Sequence, residues 1–106
     1  MPTLHIKNIH CIETEDNWGA DHAYLYVNGE HIWGPKRIND DQWRDIKASV
    51  SFTEIAVIEL YEKDDNDPDD YLGTWVARNN ENGRGEIRAF FNADDCNYEM
   101  FYEVTD

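Results

Sequence analysis

Apolar and polar residues alternate with a period of two along most of this chain, and Gly, Asn, Asp and Pro break the alternation at short intervals. That pattern predicts strands joined by turns rather than helices. Thr3 to Ile12 reads as a first strand. Leu4 and Ile6 share one face while Ile9 and Cys11 share the other, which predicts a bulge. Ala23 to Val27 alternates cleanly and is rich in strand formers. Asn28-Gly29 is a strong hairpin signal, returning through His31-Ile32-Trp33 to a break at Gly34-Pro35.

The stretch from Ile38 to Ser51 is ambiguous. Asn39 or Asp40 could cap a short helix that places Trp43, Ile46 and Val50 at helical spacing. A loop with an irregular strand fits as well. Phe52 to Tyr61 is nearly continuously apolar, the pattern of a strand covered on both faces. Further strands are expected over Gly73 to Arg78, Glu86 to Phe91 and Tyr98 to Val104, with turn-rich connections at Asn79 to Gly85 and Asp94-Asp95. The sum is all-β, about seven or eight short strands in a two-sheet antiparallel β-sandwich.

A chain of 106 residues without repeats or linkers is one domain, residues 1–106, long enough to bury a core. Its formal net charge of −14 argues against direct contact with nucleic acid or anionic lipid. Membrane contact is expected only through bridging Ca2+. The start of the chain lacks a basic segment followed by an apolar run, and no apolar stretch is long enough to span a bilayer. The cytoplasm is the default location; signal-independent export would leave no trace. Cys11 and Cys96 are not in a CxxC pair and are expected to be free thiols in a reducing compartment, with a disulfide open to them after export.

Charge then changes the picture, because the acids are not spread evenly. One cluster spans Glu13 to Asp21 and a second spans Glu62 to Asp70, each beside an expected strand. Like charges about 4 Å apart cost roughly 1 kcal/mol in water and roughly 4 kcal/mol near a protein surface. A sandwich that gathers both clusters at one end favours a hard cation there, and calcium takes about 6–8 oxygen ligands. Magnesium, with its tight octahedral demands, fits less well. The candidate ligands are Glu15, Asp16, Asp21, Glu62, Asp64 and Asp70.

The same loops resemble those of the C2 domain, the calcium-dependent lipid-binding sandwich. Asp16, Gly19, Asp21, Tyr24 and Leu25 stand in the order of that family's first calcium loop, which is one residue shorter here unless Glu15 acts as the first acid. Glu62-Lys63-Asp64, five residues, then Asp70-Tyr71-Leu72-Gly73 resembles that family's acid-x-acid strand end followed after a gap by a further aspartate, an apolar pair and glycine, with Glu62 in place of the usual aspartate. The resemblance runs from the first strand to the last, but the segment between the loops is about ten residues short for a typical member, hence C2-like. It implies Asp16 and Asp21 on one side of one or two calcium ions and Glu62, Asp64 and Asp70 on the other. It implies lipid binding less strongly, since Trp18 alone suits insertion.

Other motifs carry little. An EF-hand would need Gly at Asp70 and Glu at Val76. A βγ-crystallin-type calcium motif is also missing. His5, His10, His22 and His31 lack zinc spacing. His10 and Cys11 are strand neighbours on opposite faces, which spoils a dyad. The aromatics Trp33, Trp43, Trp75, Phe90, Phe91 and Phe101 read as core; an exposed row on a sheet would instead suggest carbohydrate or peptide binding. No nucleophile elbow or phosphate loop is present, so an enzyme is not expected. The leading expectation is a calcium-binding module that docks to a protein partner. The alternative is a calcium-independent acidic protein that blocks a basic partner.

Overall fold

A computed structural model of the chain describes residues 1–14 and 19–106. Eight strands form two four-stranded antiparallel sheets. They are β1 (Thr3–Glu13), β2 (Asp21–Val27), β3 (Glu30–Ile38), β4 (Gln42–Ser51), β5 (Ile55–Glu62), β6 (Asp70–Arg78), β7 (Ile87–Phe91) and β8 (Asn97–Thr105). The first sheet has the order β4-β1-β8-β7 and the second β3-β2-β5-β6. The sandwich expected from the alternation is therefore present.

The core lies between the sheets and follows the pleat. Strand β1 turns Leu4 and Ile6 inward, then Ile9 and Cys11. The odd step between Ile6 and Ile9 is absorbed by a register shift between Ile6 and Asn8, the expected bulge. Strand β8 supplies Tyr98, Met100, Tyr102 and Val104, all fully buried. From the opposite sheet come Leu25, Ile58 and Leu60.

Four local expectations need correction. The segment from Gln42 to Ser51 is strand β4, paired with β1, and not a helix. Of Trp43, Ile46 and Val50 only Ile46 is well buried, so the helical spacing covered nothing. Among the described residues the sole helical turn is a 3-10 turn at Asn79–Glu81. Gly34-Pro35 does not end its strand, since β3 continues to Ile38 through a cis peptide bond. Glycine is needed there: at φ +82 a Cβ on Gly34 would lie 2.3 Å from the Ala23 carbonyl oxygen. Strand β5 is not covered on both faces. It begins at Ile55 and alternates, with Ala56, Ile58, Leu60 and Glu62 inward and Ile55 exposed. Last, Trp43 and Phe90 are exposed rather than core, while Phe91 and Trp33 are buried.

The outer face of the second sheet carries a tyrosine cluster. Tyr24 stacks on Tyr61 at 5.5 Å, Tyr26 lies edge-on to Tyr61, and Tyr71 adjoins Tyr61. No helix among the described residues is long and apolar enough to cross a membrane.

Candidate cation pole and its surroundings

Strand direction decides where the acids go. Strands β1, β3, β5 and β7 end at the pole where β2, β4, β6 and β8 begin. The β1–β2 and β5–β6 connections, which hold the two acidic clusters, therefore share one pole with the β3–β4 and β7–β8 connections. The three fully described loops at this pole, residues 39–41, 63–69 and 92–96, carry eight aspartates and one basic residue, Lys63. Asp40, Asp41, Asp94 and Asp95 belong to this crowd, although the sequence marked Asp40 only as a helix cap and Asp94-Asp95 only as a turn. The available signal was the strand count itself: alternate hairpins of an antiparallel sandwich point the same way.

Of the six candidate ligands, Glu15 and Asp16 lie outside the described residues. The other four lie at this pole. Glu62 and Asp70 are register partners across β5 and β6, and Glu62 also pairs with Ala23, two residues from Asp21. Cross-strand partners hold their Cβ atoms about 4.5–5.5 Å apart, and like charges placed so are destabilising. Asp21 is fully buried and Glu62 nearly so. Asp64 stands apart in role. Its Oδ1 accepts the backbone N–H groups of Asn66 and Asp67, at 3.0 and 3.3 Å, so it shapes its own loop.

The pole is braced from below and from the side. The buried Tyr98 hydroxyl donates to Asp21 Oδ2. Burial, together with the Asp21 carboxylate, pushes the Tyr98 phenol far up, so the proton stays on the tyrosine. An ionised carboxylate offers about four acceptor positions, so this bond is compatible with metal ligation and would orient it. Tyr24 donates to Asp69 Oδ2 at 2.5 Å, while Asp69 Oδ1 accepts the Asp64 N–H at 3.0 Å. The Tyr24 hydroxyl bond holds the Asp69 carboxyl below its ordinary range. Thr14 N–H donates to Asp40 Oδ1 at 2.9 Å and ties two loops together.

Among the described residues, no group of three or more His, Cys, Asp or Glu side chains is arranged to hold a metal ion. The donor chemistry fits a hard cation, but Asp21, Glu62, Asp64 and Asp70 do not by themselves make a cage.

Both cysteines sit beneath the pole as buried free thiols. Burial raises Cys11 to about 11 and Cys96 to about 12, so neither forms a thiolate near neutral pH. As expected, His10 faces outward while Cys11 faces the core.

No family model matches the chain, and no curated protein does. Solved structures do. A structure of a C2 domain aligns over all of both chains with a TM-score of 0.65 at 14% identity. Human GIVD cytosolic phospholipase A2 aligns over 98% of this chain and 16% of its own, with a TM-score of 0.61 at 15% identity. The paired C2 domains of extended-synaptotagmin 2 align over 98% of this chain and 39% of their own, with a TM-score of 0.59 at 14% identity. At such identities the likeness speaks to fold alone: this chain is a C2-like β-sandwich.

Proposed function

We propose that this C2-like sandwich is a calcium-binding module, and not an enzyme, whose acidic pole is neutralised by one or two Ca2+ ions so that it can dock to a protein partner. One observation carries the reading. The Glu62–Asp70 register pair lies at a pole whose described loops hold eight aspartates and only Lys63 as a base. Carboxylates brought across a strand pair amid so many aspartates offer oxygen donors of the kind a hard divalent cation takes. Asp21, Glu62, Asp64 and Asp70 would supply oxygens from described positions, with Glu15 and Asp16 completing the set. Membrane contact, on this reading, runs only through bound calcium. A cytoplasmic location is part of the same proposal.

Thermal melting tests it. A ligand that binds only the folded state stabilises by about 2.7 kcal/mol at a hundredfold excess over its dissociation constant. Millimolar calcium should raise the melting temperature clearly, magnesium much less, and the double variant Asp64→Asn with Asp70→Asn should abolish the rise. If calcium and sodium chloride of matched ionic strength act alike, the calcium reading fails. The protein is then a calcium-independent acidic module.

A further inference from the structure

The pole end of the other sheet's outer face carries a second feature, independent of calcium. Register places Trp43 on β4, His10 on β1, Glu99 on β8 and Phe90 on β7 in one row across all four strands. The centre of the row is rigid. Glu99 is nearly buried, and its two oxygens meet His10 Nδ1 and Arg88 Nε, both at 2.6 Å. His10 Nε2 lies 2.9 Å from Asp41 Oδ1. With a carboxylate at each ring nitrogen, the imidazole satisfies both as a doubly protonated ring.

Aromatic rings flank this braced centre. The Trp43 indole lies parallel on His10, at 4.4 Å and 4°, and also stacks near-parallel on Phe101, at 5.9 Å and 19°. Even so, Trp43 is 48% exposed. At the other end of the row, the Arg88 guanidinium sits 4.3 Å over the Phe90 ring. Phe90 and Ile12 are each 39% exposed. Of the six exposed large hydrophobics among the described residues, three (Ile12, Trp43 and Phe90) thus lie toward one end of this sheet, Trp43 and Phe90 on its two edge strands. Scattered single apolar residues are ordinary, whereas a grouped set marks a contact surface. Trp, Arg and a central braced network are also the composition of interface anchors.

Charge selects the occupant. Two fully described loops at this end, residues 39–41 and 92–96, carry Asp40, Asp41, Asp94 and Asp95, all exposed, and no basic residue. The molecule as a whole carries −14. An exposed indole beside carboxylates attracts a guanidinium or ammonium group by cation–π and ionic attraction together. We propose that Ile12, Trp43 and Phe90, rimmed by Asp40, Asp41, Asp94 and Asp95, form a docking surface for an arginine-bearing, partly apolar segment of a protein partner. One arginine would lie against the exposed part of the Trp43 indole.

The probe is a synthetic eight-residue peptide of alternating arginine and leucine, titrated calorimetrically into the full chain in chelator at near-physiological salt. Trp43→Ala should weaken binding about tenfold or more, the scale of losing a desolvated cation–π contact. Trp43→Phe should recover part of that loss, which separates ring stacking from simple unfolding; circular dichroism verifies that both variants fold. Asp94→Asn with Asp95→Asn removes two charges at the rim. Both residues sit at positive φ, 55° and 61°, where asparagine is tolerated. This pair should weaken binding severalfold. Glu30→Gln with Glu54→Gln removes the same charge from exposed positions at the opposite pole and should change binding less than about twofold, as expected for a distant screened charge. Equal losses in the two double variants, no loss in Trp43→Ala, or no measurable binding would each overturn the proposal. Because the chelator excludes calcium, failure here leaves the cation reading untouched, and the reverse holds too.

Discussion

The two poles of this sandwich are built on opposite principles. At the pole holding the Asn28-Gly29 turn, side-chain hydrogen bonds tie strands and turns together. Asn28 Nδ2 donates to the Ile55 carbonyl at 3.3 Å and its Oδ1 accepts the Val57 N–H at 2.8 Å, clasping β2 to the start of β5. Glu81 accepts the Arg78 N–H at 2.8 Å and the Tyr102 hydroxyl at 3.0 Å, fixing the 3-10 turn to the core. At the acidic pole, carboxylates are instead placed against one another, and their hydrogen bonds mostly shape the loops that carry them. The contrast teaches that one end uses its polar groups to join strands while the other concentrates negative charge on a braced frame. A C2-like frame tolerates this because eight paired strands and one continuous core lie between the ends.

The largest effect that would test this contrast is expected at Tyr98. Tyr98→Phe removes the hydroxyl that donates to the buried Asp21 carboxylate, a loss of about 2–3 kcal/mol for a charged buried acceptor. Urea denaturation in chelator measures it. A change below about 0.5 kcal/mol would mean that the acidic pole does not depend on its core brace. Next comes Asn28→Ala at the quiet pole. It deletes two hydrogen bonds and puts alanine at φ 50°, costing about 1–2 kcal/mol. Here the calcium-induced rise in melting temperature should stay as in the parent protein; a diminished rise would show that the poles are coupled.

The smallest effect concerns pH and sharpens the boundary between pole and sheet. Burial alone would lower the His10 pKa, but the Glu99 and Asp41 carboxylates outweigh it and hold the imidazolium above its ordinary value. The hydrogen bond from His10, aided by Arg88, holds Glu99 below the usual carboxylate range. A raised histidine contributes stability that is whole below its unfolded pKa of about 6.5 and fades as pH rises through the folded value. A depressed glutamate contributes above its unfolded pKa of about 4.3 and fades as pH falls through its folded value. The pair is therefore worth most between those limits. Melting temperature compared between the parent and His10→Gln should show the largest gap there, closing toward alkaline pH. A gap independent of pH would mean that His10 acts only by packing beneath Trp43.

Much of the fold was legible because period-two alternation is a local signal. Strands β2 and β8 followed from it directly, and the Ile6-to-Ile9 step announced the bulge in β1. Strand β4 was not legible. Trp43, Ile46 and Val50 satisfy a helical spacing as readily as an edge strand, and the decision came from pairing with β1, a contact distant in sequence. The outward face of β5 was misjudged for a related reason: Ile55 and Val57 are apolar, but they lie on the tyrosine-bearing outer face, not against a third layer.

The sequence by itself determined that the chain is an acidic all-β domain and that its carboxylates come in two dense runs, since composition and alternation are properties of neighbours along the chain. Only the tertiary structure decided that four loops meet at one pole, that Glu62 opposes Asp70, and that Tyr98 reaches Asp21. It also turned Trp43 and Phe90 to the outside beside a buried Glu99. Those relations depend on strand order and direction. Hydrogen bonding across the sheets sets these between segments far apart in the chain, where no local pattern records them.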